Sequence, residues 1–134
     1  MASTIRLELV TPERFLLSED VDEIIIPAYE GELGVLPEHT HYLSIVNVGV
    51  LRYRKGNEWQ KIAMSGGVVE IVPDKVVLLA DTAEHAEEIN LERARFAQER
   101  AEAEMKQALS LEDERYMRAE AALSRAIARI SAKH

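Results

Sequence analysis

Five arginines in the last third of the chain have the type and spacing to bind an anion. Arg93 and Arg100 are seven residues apart, so at about 100° per residue they share one side of a helix. Arg118, Arg125 and Arg129 share a face of a second helix. Guanidinium groups form charge-assisted hydrogen bonds to phosphates and carboxylates. A phosphate-bearing ligand and an acidic protein surface are both candidates, and the commoner alternative is a solvated face with i,i+4 ion pairs.

The rest of the sequence lacks a catalytic constellation, and we expect no catalytic residue. No Lys follows Gly66-Gly67, so a phosphate-binding loop is absent. Ser65-Gly66-Gly67 is no nucleophile elbow, because residue 63 is not Gly, and we interpret it as a turn between strands. His39 and His41 could share a strand face, but a metal needs further ligands. We therefore expect no metal and no small hydrolase, and we interpret both histidines as surface or interface residues.

Two helices have to position the arginines. From Leu91 onward the apolar residues form one helical stripe, which predicts a first helix with Asn90 as its N-cap. Ser110 with Asp113 resembles a capping box and predicts the start of a second helix. Because Leu109 and Ser110 leave a short link, the helices should form an antiparallel hairpin. The stripes run through positions 91, 94, 97, 101, 105 and 108, and through Tyr116, Ala119, Leu123, Ile127 and Ile130.

The chain before residue 85 has a different composition. All six Gly, all four Pro and every Val lie at or before Val77, and such residues favour short strands and turns. Short strands that follow one another closely along the sequence predict a sandwich or barrel of eight to ten strands. The expected strands are Thr4–Leu9, Val21–Ile26 ending at Pro27, His41–Val48, Val50–Arg54, Glu58–Met64, Gly67–Val72 and Lys75–Ala80, with short pieces near Phe15 and Gly34. We expect a β + α chain: a β-sandwich at 1–84, a linker at 85–89 and a two-helix hairpin at 90–134.

The charge balance limits the partners. The net charge is −8. Residues 1–89 hold 7 Lys and Arg against 16 Asp and Glu, and residues 90–134 hold 9 against 8. The acidic half lacks the basic footprint of nucleic-acid binding, so we expect no nucleic-acid partner. No apolar run approaches the roughly 20 residues that span a bilayer, no signal peptide is evident and Cys is absent. We expect a cytosolic protein without direct membrane insertion, which could still dock on a membrane complex.

Three motifs, in order along the β half, are typical of one family. Glu30-Gly31-Glu32-Leu33-Gly34-Val35-Leu36-Pro37-Glu38-His39, Ser65-Gly66-Gly67 and Leu79-Ala80-Asp81-Thr82-Ala83 resemble the epsilon subunits of bacterial F-type ATP synthases. The likeness extends over essentially the whole chain. It implies a sandwich of about ten strands with a two-helix hairpin, and a non-catalytic central-stalk subunit that couples the rotor to the membrane ring during proton-driven ATP synthesis. The implied partners are the gamma subunit and the c ring at the cytoplasmic face of the plasma membrane, with Glu32 near the ring and His39 towards gamma.

The resemblance also implies a regulatory hairpin. The hairpin can lie folded on the sandwich or extend along gamma to the alpha and beta subunits. The extended form would inhibit ATP hydrolysis. ATP, as a regulatory ligand, would favour the folded state. The residues that match the family's nucleotide site are Glu84, Ile89, Asn90, Arg93, Ala94, Arg100, Arg125 and Arg129. Asn90 stands where the family pattern has an acid, so we expect roughly tenfold weaker affinity. The alternative is a free-standing nucleotide-sensing domain with no obligate partner.

Overall fold

The structure is a computed structural model that describes residues 4–108, 110 and 112–134. It confirms the predicted fold class, a β-sandwich followed by two helices. The described residues form eight strands, a short 3-10 turn and two helices. Their bounds are β1 Ile5–Val10, β2 Phe15–Val21, β3 Glu23–Ala28, β4 Gly31–Val35, β5 Tyr42–Lys55, β6 Glu58–Val72, β7 Lys75–Ala80, β8 Ala83–His85, the turn Ala86–Glu88, α1 Leu91–Gln107 and α2 Glu114–Lys133.

The strands pair in the order β2-β1-β7-β6-β5-β3-β4, with β8 on the side of β6. The β1–β7 pairing is parallel and the others are antiparallel. This one path of strands folds over a core of mainly aliphatic side chains drawn from β1 to β8. Burying that apolar surface is the main favourable term in folding, so the sandwich supplies the frame on which the helices rest.

The described residues form eight strands, within the expected eight to ten but fewer than the roughly ten that the resemblance implies, because β5 and β6 are each continuous where the sequence predicts two strands. Gly66 and Gly67 have φ angles of +83° and +148°, which glycine adopts without strain. The strand therefore bends at this point without ending, and the predicted turn at Ser65-Gly66-Gly67 is wrong. The buried positions change phase across the bend, from Ile62 and Met64 to residues 69 and 71. Both halves of β6 consequently face the same core.

Two further expectations about element ends are wrong. β3 continues through Pro27 to Ala28, because the β3–β5 ladder is irregular between Ile25 and Ala28 and needs no N–H from Pro27. The N-cap of α2 is Asp113, not Ser110: its carboxylate accepts a hydrogen bond from the Arg115 N–H at 2.8 Å. Leu109, part of the predicted link, lies outside the described residues.

The helical hairpin is folded onto the sandwich. α1 packs along α2, and α2 packs on β5 and β6. The residues that α1 and α2 bury completely are all alanines, which lets the backbones approach closely but buries little apolar area. Beneath the end of α2, Ala132 meets Ala63 and Ile89, with Val50 beside them. We call this contact the docking seam.

Candidate functional site

A cleft opens where the end of the sandwich, the start of α1 and the last turns of α2 meet. Its volume is about 420 Å³. Seven of the eight residues predicted for a nucleotide site line it, although they are spread over 46 positions of sequence from 84 to 129. The full lining is Glu84, Glu88, Ile89, Asn90, Arg93, Ala94, Phe96, Ala97, Arg100 and Arg129.

The start of α1 is fixed by its cap. The Asn90 side-chain oxygen Oδ1 accepts a hydrogen bond from the Arg93 N–H at 3.1 Å, which confirms the predicted N-cap and satisfies one free donor of the first turn. Ala94, in the first turn, is buried. Arg93, Phe96 and Arg100 follow at spacings of three and four residues, so they project on one side of the helix.

An ion pair ties α2 to the sandwich on the opposite wall. Arg129 Nε donates to Glu84 Oε1 at 2.6 Å, which joins α2 to β8. One turn later, Lys133 Nζ donates to the backbone oxygen of Ala86 at 2.9 Å. Together with the docking seam, these two bonds hold the C-terminal half of α2 in place.

The charges that remain uncompensated in the cleft are positive. Glu88 pairs with Arg14 of the sandwich at 3.1 Å, and Glu84 pairs with Arg129. Among the residues that the structure describes, the side chains of Arg93 and Arg100 have no ion-pair partner within 4.0 Å. Two free guanidinium groups facing one concave surface can bind an anion of several negative charges.

Arg125 is the predicted nucleotide-site residue that lies outside this lining. It borders a smaller depression beside the cleft, together with Glu84 and Arg129. Arg118, which the helical pattern places on the same face, lies instead near Glu104 at the far end of the hairpin. The predicted arginine cluster on α2 therefore splits, and Arg125 with Arg129 forms the part next to the cleft.

Phe96 is a lining residue that the sequence reasoning missed. Its side chain is 66% exposed although it is large and apolar. The available signal was an aromatic residue three positions after Arg93 and outside the alanine stripe of α1. Burying this ring against a ligand would contribute free energy.

Glu32 and His39, the two residues predicted to bind partners, have different surroundings in the structure. Glu32, on β4, pairs with Arg52 at 2.6 Å and borders a groove of about 530 Å³ between the sheet and α2. His39 is half-buried after β4, where its Nδ1 donates to the Thr40 backbone oxygen at 2.7 Å. In the described part of the chain, no three metal-ligating side chains come together.

A row of exposed apolar side chains crosses five neighbouring strands on the outer face of the sandwich. The pairing register joins Ile45 to Val68, Val68 to Leu79, Leu79 to Val10 and Val10 to Phe15. Four of these side chains are between 42% and 60% exposed, and Val10 is half-buried. We call this surface the apolar row. Contiguous exposed apolar surface of this kind marks a protein interface.

Neither helix, within residues 4–108, 110 and 112–134, is both long and apolar enough to cross a bilayer.

Comparison with known proteins gives consistent matches along both parts of the chain. The family model "ATP synthase, Delta/Epsilon chain, beta-sandwich domain" matches residues 4–86, and "ATP synthase, Delta/Epsilon chain, long alpha-helix domain" matches residues 87–133. The ATP synthase epsilon chain of Syntrophobacter fumaroxidans is 50% identical over 133 residues, covering 97% of this chain and 96% of its own. That of Desulforamulus reducens is 46% identical, covering 98% of each chain. A chain in the cryo-EM structure of the Euglena gracilis mitochondrial ATP synthase has a TM-score of 0.86 at 28% identity, covering 100% of this chain and 84% of its own.

Proposed function

This chain belongs to the ATP synthase delta/epsilon family, and on that premise we propose that it is the epsilon subunit of a bacterial F-type central stalk with two tasks. The sandwich couples the gamma shaft to the c ring during proton-driven ATP synthesis. The hairpin inhibits ATP hydrolysis when it leaves the sandwich and extends along gamma towards the alpha and beta subunits. The subunit is not itself catalytic, and it lies peripherally at the cytoplasmic face of the plasma membrane.

The observation that carries the coupling role is the apolar row. Its members Ile45, Val68 and Leu79 are exposed on three adjacent strands, and a soluble protein gains by covering such a surface. A free-standing nucleotide sensor would have no use for it, so the row favours an obligate protein partner. We assign the row to the gamma subunit, and the surfaces around His39 and Glu32 to gamma and the c ring respectively.

The hairpin's attachment supports a conformational switch. Its docking seam is a small cluster in which the residue contributed by α2 is Ala132, and the side-chain bonds that the described residues make from α2 to the rest of the chain are the Glu84–Arg129 ion pair and the Lys133 hydrogen bond. An Ala-rich helical pair that buries so little apolar area is held by a few kcal/mol, roughly the range of local opening reactions. A partner that binds the extended form with a few kcal/mol of preference can therefore shift the population.

The cleft supplies the opposite bias. It is lined by Glu84 of β8, Arg93 and Arg100 of α1, and Arg129 of α2, so it exists only while the hairpin is folded. A ligand that contacts all three elements stabilises the folded state by mass action. We propose ATP as this ligand, with its phosphates on the arginines and Arg125 close enough to join them after a side-chain rotation. The predicted contacts of Ile89, Asn90 and Ala94 belong to the same proposal.

Gel filtration of the full chain with the gamma subunit of the same synthase tests the coupling role. Val68→Asp places a charge in the middle of the apolar row, and we expect it to abolish co-elution with gamma. Trp59→Asp is the matched control, because Trp59 has the same 42% exposure but lies at the far end of β6. Co-elution that survives Val68→Asp, with both variants folded by circular dichroism, would show that the row is not the gamma-binding surface.

A further inference from the structure

We propose that Arg14, in the turn between β1 and β2, fixes the pivot of the hairpin. Its guanidinium group holds residues 83–88 on the sandwich. When the hairpin undocks, it then turns about Ile89 and Asn90. This inference rests on the proposed hairpin switch and adds to it the point about which the helices move, together with the residue that fixes this point.

One nitrogen of Arg14 contacts both ends of the segment 83–88. Nη2 donates to the Glu88 carboxylate, at 3.1 Å to Oε2 and 3.3 Å to Oε1, and to the Ala83 backbone oxygen at 3.4 Å. Ala83 begins β8 and Glu88 ends the 3-10 turn, and the pairing of β8 with β6 adds a third attachment. All three attachments come from the sandwich, so they can persist after α2 has left.

The turn that carries Arg14 is held by its own bonds. The Thr11 N–H donates to the Arg14 backbone oxygen at 2.9 Å, and the Arg14 N–H donates to the Thr11 hydroxyl at 3.2 Å. Thr11 is only 9% exposed, and hydrogen bonds shielded from water are electrostatically stronger than those in bulk water. The guanidinium group therefore extends from a fixed backbone.

The attachments to the sandwich change directly after Glu88. Ile89 and Asn90 both have extended backbone angles and separate the 3-10 turn from α1. The Ile89 side chain is covered in the docking seam by Ala132 of α2, so undocking removes part of its cover. The Asn90 side chain is bonded into the first turn of α1 and moves with that helix. Hinges are a few residues at the ends of elements, and these two residues meet that description.

A fixed pivot keeps the reach of the hairpin constant. Release of the three residues of β8 and the three of the 3-10 turn would add up to about 20 Å of flexible chain. A longer tether lowers the effective concentration of the hairpin at its target. Arg14 thus acts through Glu88 as a positioning residue for the inhibitory helices.

Native-state hydrogen exchange of the full chain tests the clamp. Arg14→Gln keeps a polar side chain but removes the charge. We expect the β8 amides and the Ile89 amide to exchange up to about fivefold faster, the factor that a surface ion pair contributes. Arg6→Gln is the matched control, because it breaks the Arg6–Asp20 pair at 3.3 Å in the same sandwich and should leave β8 exchange unchanged. Unchanged β8 exchange in Arg14→Gln would refute the clamp, and equal acceleration in β5 would show that Arg14 stabilises the whole sandwich instead.

Cross-linking of the full chain locates the pivot. The chain has no Cys, so the thiols of the double variant Arg14→Cys, Glu88→Cys can be joined by a short bismaleimide, and the same variant blocked with N-ethylmaleimide is the control. We expect the linked and blocked proteins to inhibit ATP hydrolysis by the reconstituted catalytic head equally, because the pivot lies beyond the link. Loss of inhibition on linking would overturn the proposal.

A second link separates this inference from the proposed function. In the double variant Glu84→Cys, Arg129→Cys, the same reagent should abolish inhibition, because it holds α2 on the sandwich. Inhibition that survives this link would show that the proposed switch itself is wrong. The exchange experiment needs no catalytic head, so it would still decide whether Arg14 holds residues 83–88.

Discussion

The Glu84–Arg129 ion pair should control how often the hairpin leaves the sandwich. Glu84→Gln keeps the size of the side chain and a carbonyl oxygen that can accept from Arg129, but it removes the negative charge. The hairpin should then undock more often in nucleotide-free protein, while the sandwich stays as stable as before. The readout must therefore report local opening of α2 and global unfolding separately.

The magnitude follows from the geometry and exposure of the pair. The two atoms are 2.6 Å apart, which is a strong charge-assisted contact, but the side chains of Arg129 and Glu84 are 41% and 32% exposed. Exposure on this scale lets solvent screen the charges, which places the pair near the upper end of surface ion pairs, about 1 kcal/mol. That energy corresponds to a roughly fivefold increase in the undocked population.

Native-state hydrogen exchange followed by mass spectrometry measures this population. Amides in the C-terminal half of α2 should exchange about fivefold faster in Glu84→Gln, and amides of β1 and β7 should be unchanged. At about 1 M salt the Debye length is only ~3 Å, so the difference between the two proteins should shrink. Asp20→Asn is the matched control, because it breaks the Arg6–Asp20 pair at 3.3 Å within the sandwich and should leave α2 exchange unchanged.

Two results would refute the reasoning. Unchanged exchange in α2 of Glu84→Gln would mean that the ion pair contributes nothing to docking and that the docking seam holds the hairpin alone. Faster exchange of equal size in the sandwich strands and in α2 would mean that Glu84 stabilises the whole fold, so the hairpin would not be a separate cooperative unit.

Three further predictions concern the frame itself. Gly67→Ala should lower the free energy of unfolding by about 3 kcal/mol or more, because the added Cβ would clash with the backbone oxygen of Leu79 in β7 and the φ angle is +148°. Gly34→Ala is the control, since the space around its Cβ is open, and it should change the urea denaturation curve little. Burial, with the nearby Glu19 carboxylate, raises the pKa of Tyr53 from 10.0 to about 12, so the folded state holds this proton longer than the unfolded state. The resulting stability is complete below pH 10 and is lost as the pH rises towards 12, and urea titrations of Tyr53→Phe should lack that loss. A fragment of residues 1–88 should show β-type circular dichroism and unfold cooperatively. It should bind gamma but not inhibit ATP hydrolysis by the reconstituted catalytic head. Inhibition equal to that of the full chain would count against a regulatory hairpin.

The fold class was predictable because the two halves of the chain differ in local preference. Turn residues and Val fill the first half, while Ala, Leu, Glu and Arg fill the second, and the structure changes from strand to helix between them. The continuity of β6 was not predictable, because glycine pairs mark turns and bends equally well. Only the close approach of β7 to Gly67 decides that the strand bends and continues.

The site was predictable to the extent that local patterns positioned it. Asn90 followed by Arg93 predicts both the cap and the arginine's place near the helix start, and the structure has both. The pairing of Arg129 with Glu84 depends on how α2 lies on the sandwich, which no local pattern specifies. Phe96 was missed because an exposed aromatic residue on an amphipathic helix has no periodic signature of its own.

The continuity of β5 and β6 has a mechanical consequence. On β5, Ile45 of the apolar row and Val50 of the docking seam are five residues apart; on β6, Val68 and Ala63 have the same spacing. Covalent backbone of about 17 Å therefore links the two surfaces, reinforced by the hydrogen-bond ladder between the strands. If the gamma subunit binds the apolar row as we propose, torque from gamma reaches the base of the hairpin without crossing a joint of packed side chains. The sandwich can then turn as one stiff body, and the hairpin, held on it by the Arg129 and Lys133 bonds and the docking seam, can undock without bending either strand.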